Sequence, residues 1–253
     1  MRGVSSPSSS AFAVAAALEG VPSAFVATRD GIDTLLRDRG LRRSTPEDTA
    51  ESLLRGAVAT ARLEGAEGDD ETLRAGGGDA TARGAVLLST ELLGLAAPWR
   101  TAPLQAVARM HALAATGTLP DAERGRPATP EGARRLTWLA QAVQASGEVP
   151  GLVVAALVHA EIATAGAFGS HNRVVARAAE RLVLVVRGVD PASLVVPEAG
   201  HAAEPEGYAG ALAAYERDAA SLHAGDPGPG VHQWLLYASQ AFARGAEASP
   251  VAR

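Results

Sequence analysis

Residues 150–188 read PGLVVAALVHAEIATAGAFGSHNRVVARAAERLVLVVRG, and their reading decides the fold. Pro150 suits a helix start, because the N–H it lacks would be unpaired there anyway. An apolar run from Leu152 to Val158 reaches His159 and Glu161, and then Gly166 and Gly169 break the pattern. A second helix is expected from about Asn172, apolar at Val174, Val175, Ala178, Leu182 and Val185, with Gly188 as its stop. LVLVVRG is short and β-branched enough to form a strand in isolation, but the helical spacing of VVARAAERLV runs into it without a break. The stretch therefore reads as a buried helical hairpin with one wet end, GAFGSHNR, at 166–173.

Outward from the hairpin the chain keeps helical spacing. Phe25, Ile32, Leu35 and Leu36 recur within 22–39. Thr45-Pro46-Glu47 opens a helix with Thr as its cap and Pro in its first turn. Further helices are expected at 84–95, from Thr101-Ala102-Pro103, at 130–144, and in EGYAGALAAYERDAASL and VHQWLLYASQAFARGA. Residues 117–132 form a long loop rich in Pro, Gly and charge, and 190–206 reads as a Pro-punctuated linker. Period-2 alternation is absent apart from short runs such as SLVVPE, so the fold class is all-α, a bundle of about eight helices. The expected layout is a loose Ser-rich start over 1–20, a single helical domain over 21–245 and a tail over 246–253.

Composition narrows the chemistry. The 253 residues contain no Cys, and all 23 basic residues are Arg. Thiolate metal sites, Cys nucleophiles, Schiff-base lysines and a P-loop Lys are thereby excluded. A net charge of −5 with scattered Arg argues against a nucleic-acid partner. No apolar run approaches the roughly 20 residues of a membrane span, and no convincing signal peptide precedes the body, so a cytoplasmic location is expected. His111, His201, His223 and His232 show no metal-ligand spacing, so neither a metal nor a cofactor is expected.

The wet loop leads into a helix N-terminus, whose free N–H groups and dipole favour an anion. Asn172, Arg173 and Arg177 add donors there, and the alternative is a plain connector with solvated or paired arginines. The order of residues resembles the Fic family, whose motif is H-x-F-x-(D/E)-G-N-G-R-x-x-R. Phe168 falls on the motif Phe, Asn172 on its Asn and Arg177 on its last Arg. His159-Ala160-Glu161 is similar to the family's lead-in helix. Thr60 to Gly65 fits its inhibitory pattern (S/T)-x-x-x-E-(G/N), and Tyr208, Leu212 and Gln233-Trp234-Leu235 are similar to its C-terminal helices. The resemblance covers about residues 45–245 and implies an all-α Fic fold with AMP transfer from ATP to protein hydroxyls.

The departures fall on the chemistry. Gly166 stands at the motif His, Ser170 at the Mg²⁺-binding acid, His171 and Arg173 at two glycines, and Val174 at the first Arg. AMP transfer needs a base and a metal on the phosphates, and the matching positions carry neither. The reading is a Fic-like protein whose pocket binds or converts an organic small molecule by acid–base chemistry such as dehydration, cyclisation or isomerisation. His171 and Glu64 are the candidate catalytic pair, with Phe168, Ser170, Asn172, Arg173, Arg177 and His159 as ligand-binding residues. His159 reads first as a core hydrogen-bonding residue, and Glu64–Arg177 first as a structural ion pair fixing one helix against another. A nucleophilic Ser170 activated by His171 is disfavoured, because adjacent residues rarely face each other. A regulatory pseudoenzyme or interaction scaffold, meeting its partner through 117–132, and residual AMP transfer are the alternatives. Homodimerisation is left open.

Overall fold

The computed structural model describes residues 7–37 and 44–252. In chain order its helices are α1 (Pro7–Ala16), α2 (Val21–Leu35), α3 (Pro46–Leu63), α4 (Asp70–Arg74), α5 (Ala80–Glu91), α6 (Ala96–Thr101), α7 (Pro103–Ala114), α8 (Pro130–Gln144), α9 (Gly151–Thr164), α10 (Asn172–Val186), α11 (Pro197–Ala202), α12 (Pro205–His223) and α13 (Pro229–Glu247). A 3-10 turn, Leu92–Leu95, joins α5 to α6. The described residues contain no strand, as the helical periodicity requires. The excess over about eight helices comes mainly from short pieces such as α4, α6 and α11, too brief to show a period.

The hairpin of α9 and α10 is the spine. Every residue of α9 from Leu152 to Ile162 is buried, including His159 and Glu161, so this helix has no solvent face. Removing Leu157 to Ala from such a site costs about 2–5 kcal/mol. Gly188 adopts φ 66°, and the Val189 N–H donates to the Leu184 carbonyl at 2.9 Å, which closes α10 in a left-handed turn that favours Gly. At the start of α3, the Asp48 N–H donates to Thr45 Oγ1 and the Thr45 N–H to the Asp48 carboxylate, a reciprocal cap.

Two expectations change. The start of the chain was expected to be loose, yet a helix begins at Pro7; residues 1–6 lie outside the described part. Ala11, Phe12 and Ala15 are fully buried, and Phe12 meets Trp138 edge-on at 5.9 Å, so apolar contact orders the segment. The 190–206 linker contains α11, pressed against α13. A side chain on Gly200 would place its first carbon 1.9 Å from the Ala241 carbonyl oxygen, so only Gly permits that approach.

Candidate functional site

The loop between α9 and α10 is pinned from several sides. The Asn172 side chain accepts from the Phe168 N–H at 3.0 Å and donates to the Phe168 carbonyl at 2.8 Å. The Ala128 N–H donates to the Ala167 carbonyl at 2.7 Å, tying the 117–129 segment to the loop. Gly132 in α8 lets that helix approach so closely that an added carbon would lie 2.3 Å from the Ala167 Cα. Phe168 is buried and stacks on His111, with ring centroids 4.0 Å apart and planes within 6°. Asn172 and Phe168 therefore shape the loop, and their polar atoms and ring are already engaged.

His171 precedes α10 with φ 59° and ψ 12°, a left-handed conformation uncommon for a side-chain-bearing residue. That turn swings its ring toward its neighbour, so Ser170 Oγ lies 2.6 Å from His171 Nδ1. The expectation that these adjacent residues would not face each other is thereby corrected. His171 Nε2 faces Thr81 Oγ1 at 3.5 Å, with the His111 ring centroid 6.4 Å away. Burial lowers the His171 pKa, although Glu64 and Asp79 pull it back up. Burial, with His171 adding to it, takes His111 down to about 4. Both rings are thus held toward the neutral form, and a neutral imidazole can accept a proton. His111 Nδ1 accepts from the Gly125 N–H at 2.8 Å, while its buried Nε2 has no partner among the described residues.

Glu64 and Arg177 form the ion pair that the sequence allowed, with Arg177 Nη2 donating to Glu64 Oε1 at 2.5 Å. Arg177 is fully buried and spends its other nitrogens on Thr60 Oγ1 (3.3 Å) and Tyr208 Oη (3.2 Å). Burial opposes its charge, but Tyr208 and Glu64 more than offset that and raise its pKa. Arg173 is exposed on the first turn of α10. A cavity of about 10 Å³ beside Thr60, Val174 and Ala178 has room for a single water. A larger groove of about 560 Å³, lined by Phe25, Val26, Pro150 and Leu152, lies at the opposite end of α9, about 21 Å of helix from the loop.

His159 sits in the core, apart from the loop. Its Nδ1 lies 3.0 Å from Glu180 Oε2, and its Nε2 lies 2.8 Å from Tyr208 Oη. His201 Nε2 lies 2.9 Å from the same carboxylate oxygen, and its Nδ1 lies 3.2 Å from Tyr237 Oη. His159, Glu180 and His201 are all fully buried. Burial lowers the His159 pKa, and the two imidazoles hold Glu180 ionised against burial. His159 thus joins Glu180, which sequence reasoning did not single out, and His201, which it set aside for want of metal-ligand spacing. Their grouping depends on α10 and α11 lying against α9, which spacing along the chain does not disclose. Glu161, on another face of α9, meets Arg135 (3.1 Å), Tyr215 (2.7 Å) and His223 (3.0 Å). Residues two apart on a helix do not share a face, and the two side chains accordingly meet separate partners.

Neither a family model nor a curated protein matches the sequence. Among solved structures, the fold is similar to the crystal structure of a Fic family protein from Desulfovibrio desulfuricans, with a TM-score of 0.68 and 18% identity over 89% of this chain and 74% of that one. The likeness supports a Fic-like, all-helical fold. No described helix is long and apolar enough to cross a membrane.

Proposed function

We propose that the loop at 166–173 is an acid–base site acting on an organic small molecule and that it does not transfer AMP. The observation that carries this reading is His171. It is held in a left-handed conformation at the mouth of α10, hydrogen-bonded to Ser170 through one ring nitrogen, with the other facing Thr81. Left-handed conformations of residues other than glycine gather at sites of chemistry, which supports a role for His171. Burial lowers its pKa and so keeps the ring in the neutral form that can accept a proton. Glu64 is half-buried beside the buried Arg177 and supplies negative charge near His171. Gly166 and Ser170 provide neither base nor metal-binding acid for phosphoryl chemistry, and Asn172 is occupied in clamping Phe168.

Thermal-shift titration tests the reading. ATP with Mg²⁺ is expected to leave the melting temperature unchanged, and labelled ATP is expected to label no protein in a lysate. A ligand found by screening organic acids, alcohols and amines is expected to lose about tenfold or more in affinity in His171→Ala. Tight ATP–Mg²⁺ binding, or labelling that disappears in His171→Ala, overturns the proposal in favour of nucleotidyl transfer.

The water-sized cavity near Thr60 favours a second reading, a regulatory scaffold without chemistry. In it, the exposed 117–127 segment, tied to the loop through Ala128, meets a protein partner. A stable partner lost on shortening 118–124, with no small-molecule ligand found, selects this reading.

A further inference from the structure

We propose that His159, Glu180 and His201 hold one first-row divalent transition ion of the Zn²⁺ type, which clamps α9, α10 and α11 together in the core.

One ligand atom from each residue lies within 4.8 Å of the others. The two imidazole nitrogens stand 3.0 and 2.9 Å from Glu180 Oε2. Donors about 2.1 Å from a common ion are separated by roughly 3.0–3.4 Å for right-angle to tetrahedral arrangements, so these spacings are close to those of neighbouring ligands.

A second observation points the same way. His159 Nδ1 lies 3.0 Å from Glu180 yet makes no hydrogen bond of acceptable direction, and it is fully buried without another partner among the described residues. A ring nitrogen close to a carboxylate oxygen but not aimed along the line to it is how two ligands of one ion face each other. Glu180 Oε1 is likewise buried and unpartnered. With both carboxylate oxygens on the ion, the donors number two nitrogens and two oxygens, enough for the four-coordinate shell of a closed structural zinc site.

Charge supports this assignment. The neighbouring buried arginines are already matched, Arg177 with Glu64 and Arg181 with Glu198 at 3.0 Å. Among the described residues no guanidinium reaches Glu180, whose partners are imidazoles. A divalent ion would supply the missing positive charge. Around the trio, the outer ring nitrogens meet Tyr208 Oη and Tyr237 Oη, the second layer of hydrogen bonds that orients ligating imidazoles. Two imidazoles and one carboxylate suit Zn²⁺ better than Mg²⁺ or Ca²⁺, which take oxygen donors.

The test uses the full, untagged chain. After stripping with a chelator and dialysis against Zn²⁺, mass-spectrometric metal analysis is expected to find about one equivalent, with a melting temperature raised by about 5 °C or more. Co²⁺ in place of Zn²⁺ is expected to give the visible absorption of a low-coordinate nitrogen–oxygen site. Glu180→Gln and His201→Asn are expected to abolish both uptake and shift, whereas His232→Ala, whose ring instead meets the Glu19 carbonyl at the surface, retains them. Failure of the wild-type chain to take up Zn²⁺ or Co²⁺ overturns the proposal, as does uptake that Glu180→Gln leaves intact. Should the variants not fold, wild-type stoichiometry and the cobalt spectrum still decide.

Discussion

Two glutamates are buried on the central hairpin, and they are treated differently. Glu161 is surrounded by a guanidinium, a phenol and an imidazole, and Arg135 also donates to the Thr164 carbonyl at 2.8 Å. Its charge is cancelled by a partner that cannot deprotonate. Glu180 meets two imidazoles and keeps one oxygen without any partner. Equal burial thus accompanies unequal compensation, so burial alone does not identify a structural carboxylate. The cluster that is finished by protein groups fixes helices in place, and the cluster left unfinished leaves a place for something else.

Arg135→Ala makes the largest test of that contrast. It leaves the buried Glu161 charge without its guanidinium, held only by Tyr215 and His223, and is expected to cost about 3–5 kcal/mol, measured by urea unfolding at pH 7. A loss under about 1 kcal/mol would mean that Glu161 is no better compensated than Glu180.

Tyr215→Phe removes one hydrogen bond to the Glu161 carboxylate and is expected to cost about 1.5–3 kcal/mol. The effect depends on pH. All three tyrosines of the chain have phenol pKa values raised by burial above the usual 10.0, and Tyr215, beside Glu161, lies well above it. The stability they contribute is complete below about pH 10 and declines as pH rises further toward the folded-state values. The decline should be shallower in Tyr215→Phe, read from unfolding curves collected across the alkaline range.

Glu180→Gln in the chelator-stripped chain sharpens the comparison from the other side. Losing a buried charge whose only partners are titratable imidazoles should change stability by only about 1 kcal/mol or less, and a gain is as acceptable as a loss. A loss of about 3 kcal/mol without metal would place Glu180 in the same class as Glu161. Smallest is Arg173→Ala, exposed beside the loop, where unfolding should shift by less than about 0.5 kcal/mol. The same variant tests whether that side chain takes part in any binding at the loop.

The hairpin was legible because its evidence is local. Apolar spacing, the breaks at Gly166 and Gly169 and the stop at Gly188 are read within one stretch of chain, as is the Thr45 cap. The Glu64–Arg177 pair was legible through the order of motifs. The Glu180 cluster was not, because it joins two helices of the hairpin to α11, inside a segment that Pro residues made look like linker. His111 was missed for a similar reason, since its stacking on Phe168 crosses from α7 to the loop. The turn of His171 toward Ser170 was hidden by a backbone angle that no spacing rule supplies.

Gly200 has a reach beyond its own backbone. It is the neighbour of His201, and α11 can rest on α13 only because nothing projects from that carbon. A single methyl there would act as a wedge, levering the short helix outward and drawing an imidazole away from its carboxylate. The geometry of the buried trio is thus set by an atom the chain omits, one residue away from the groups that would do the holding.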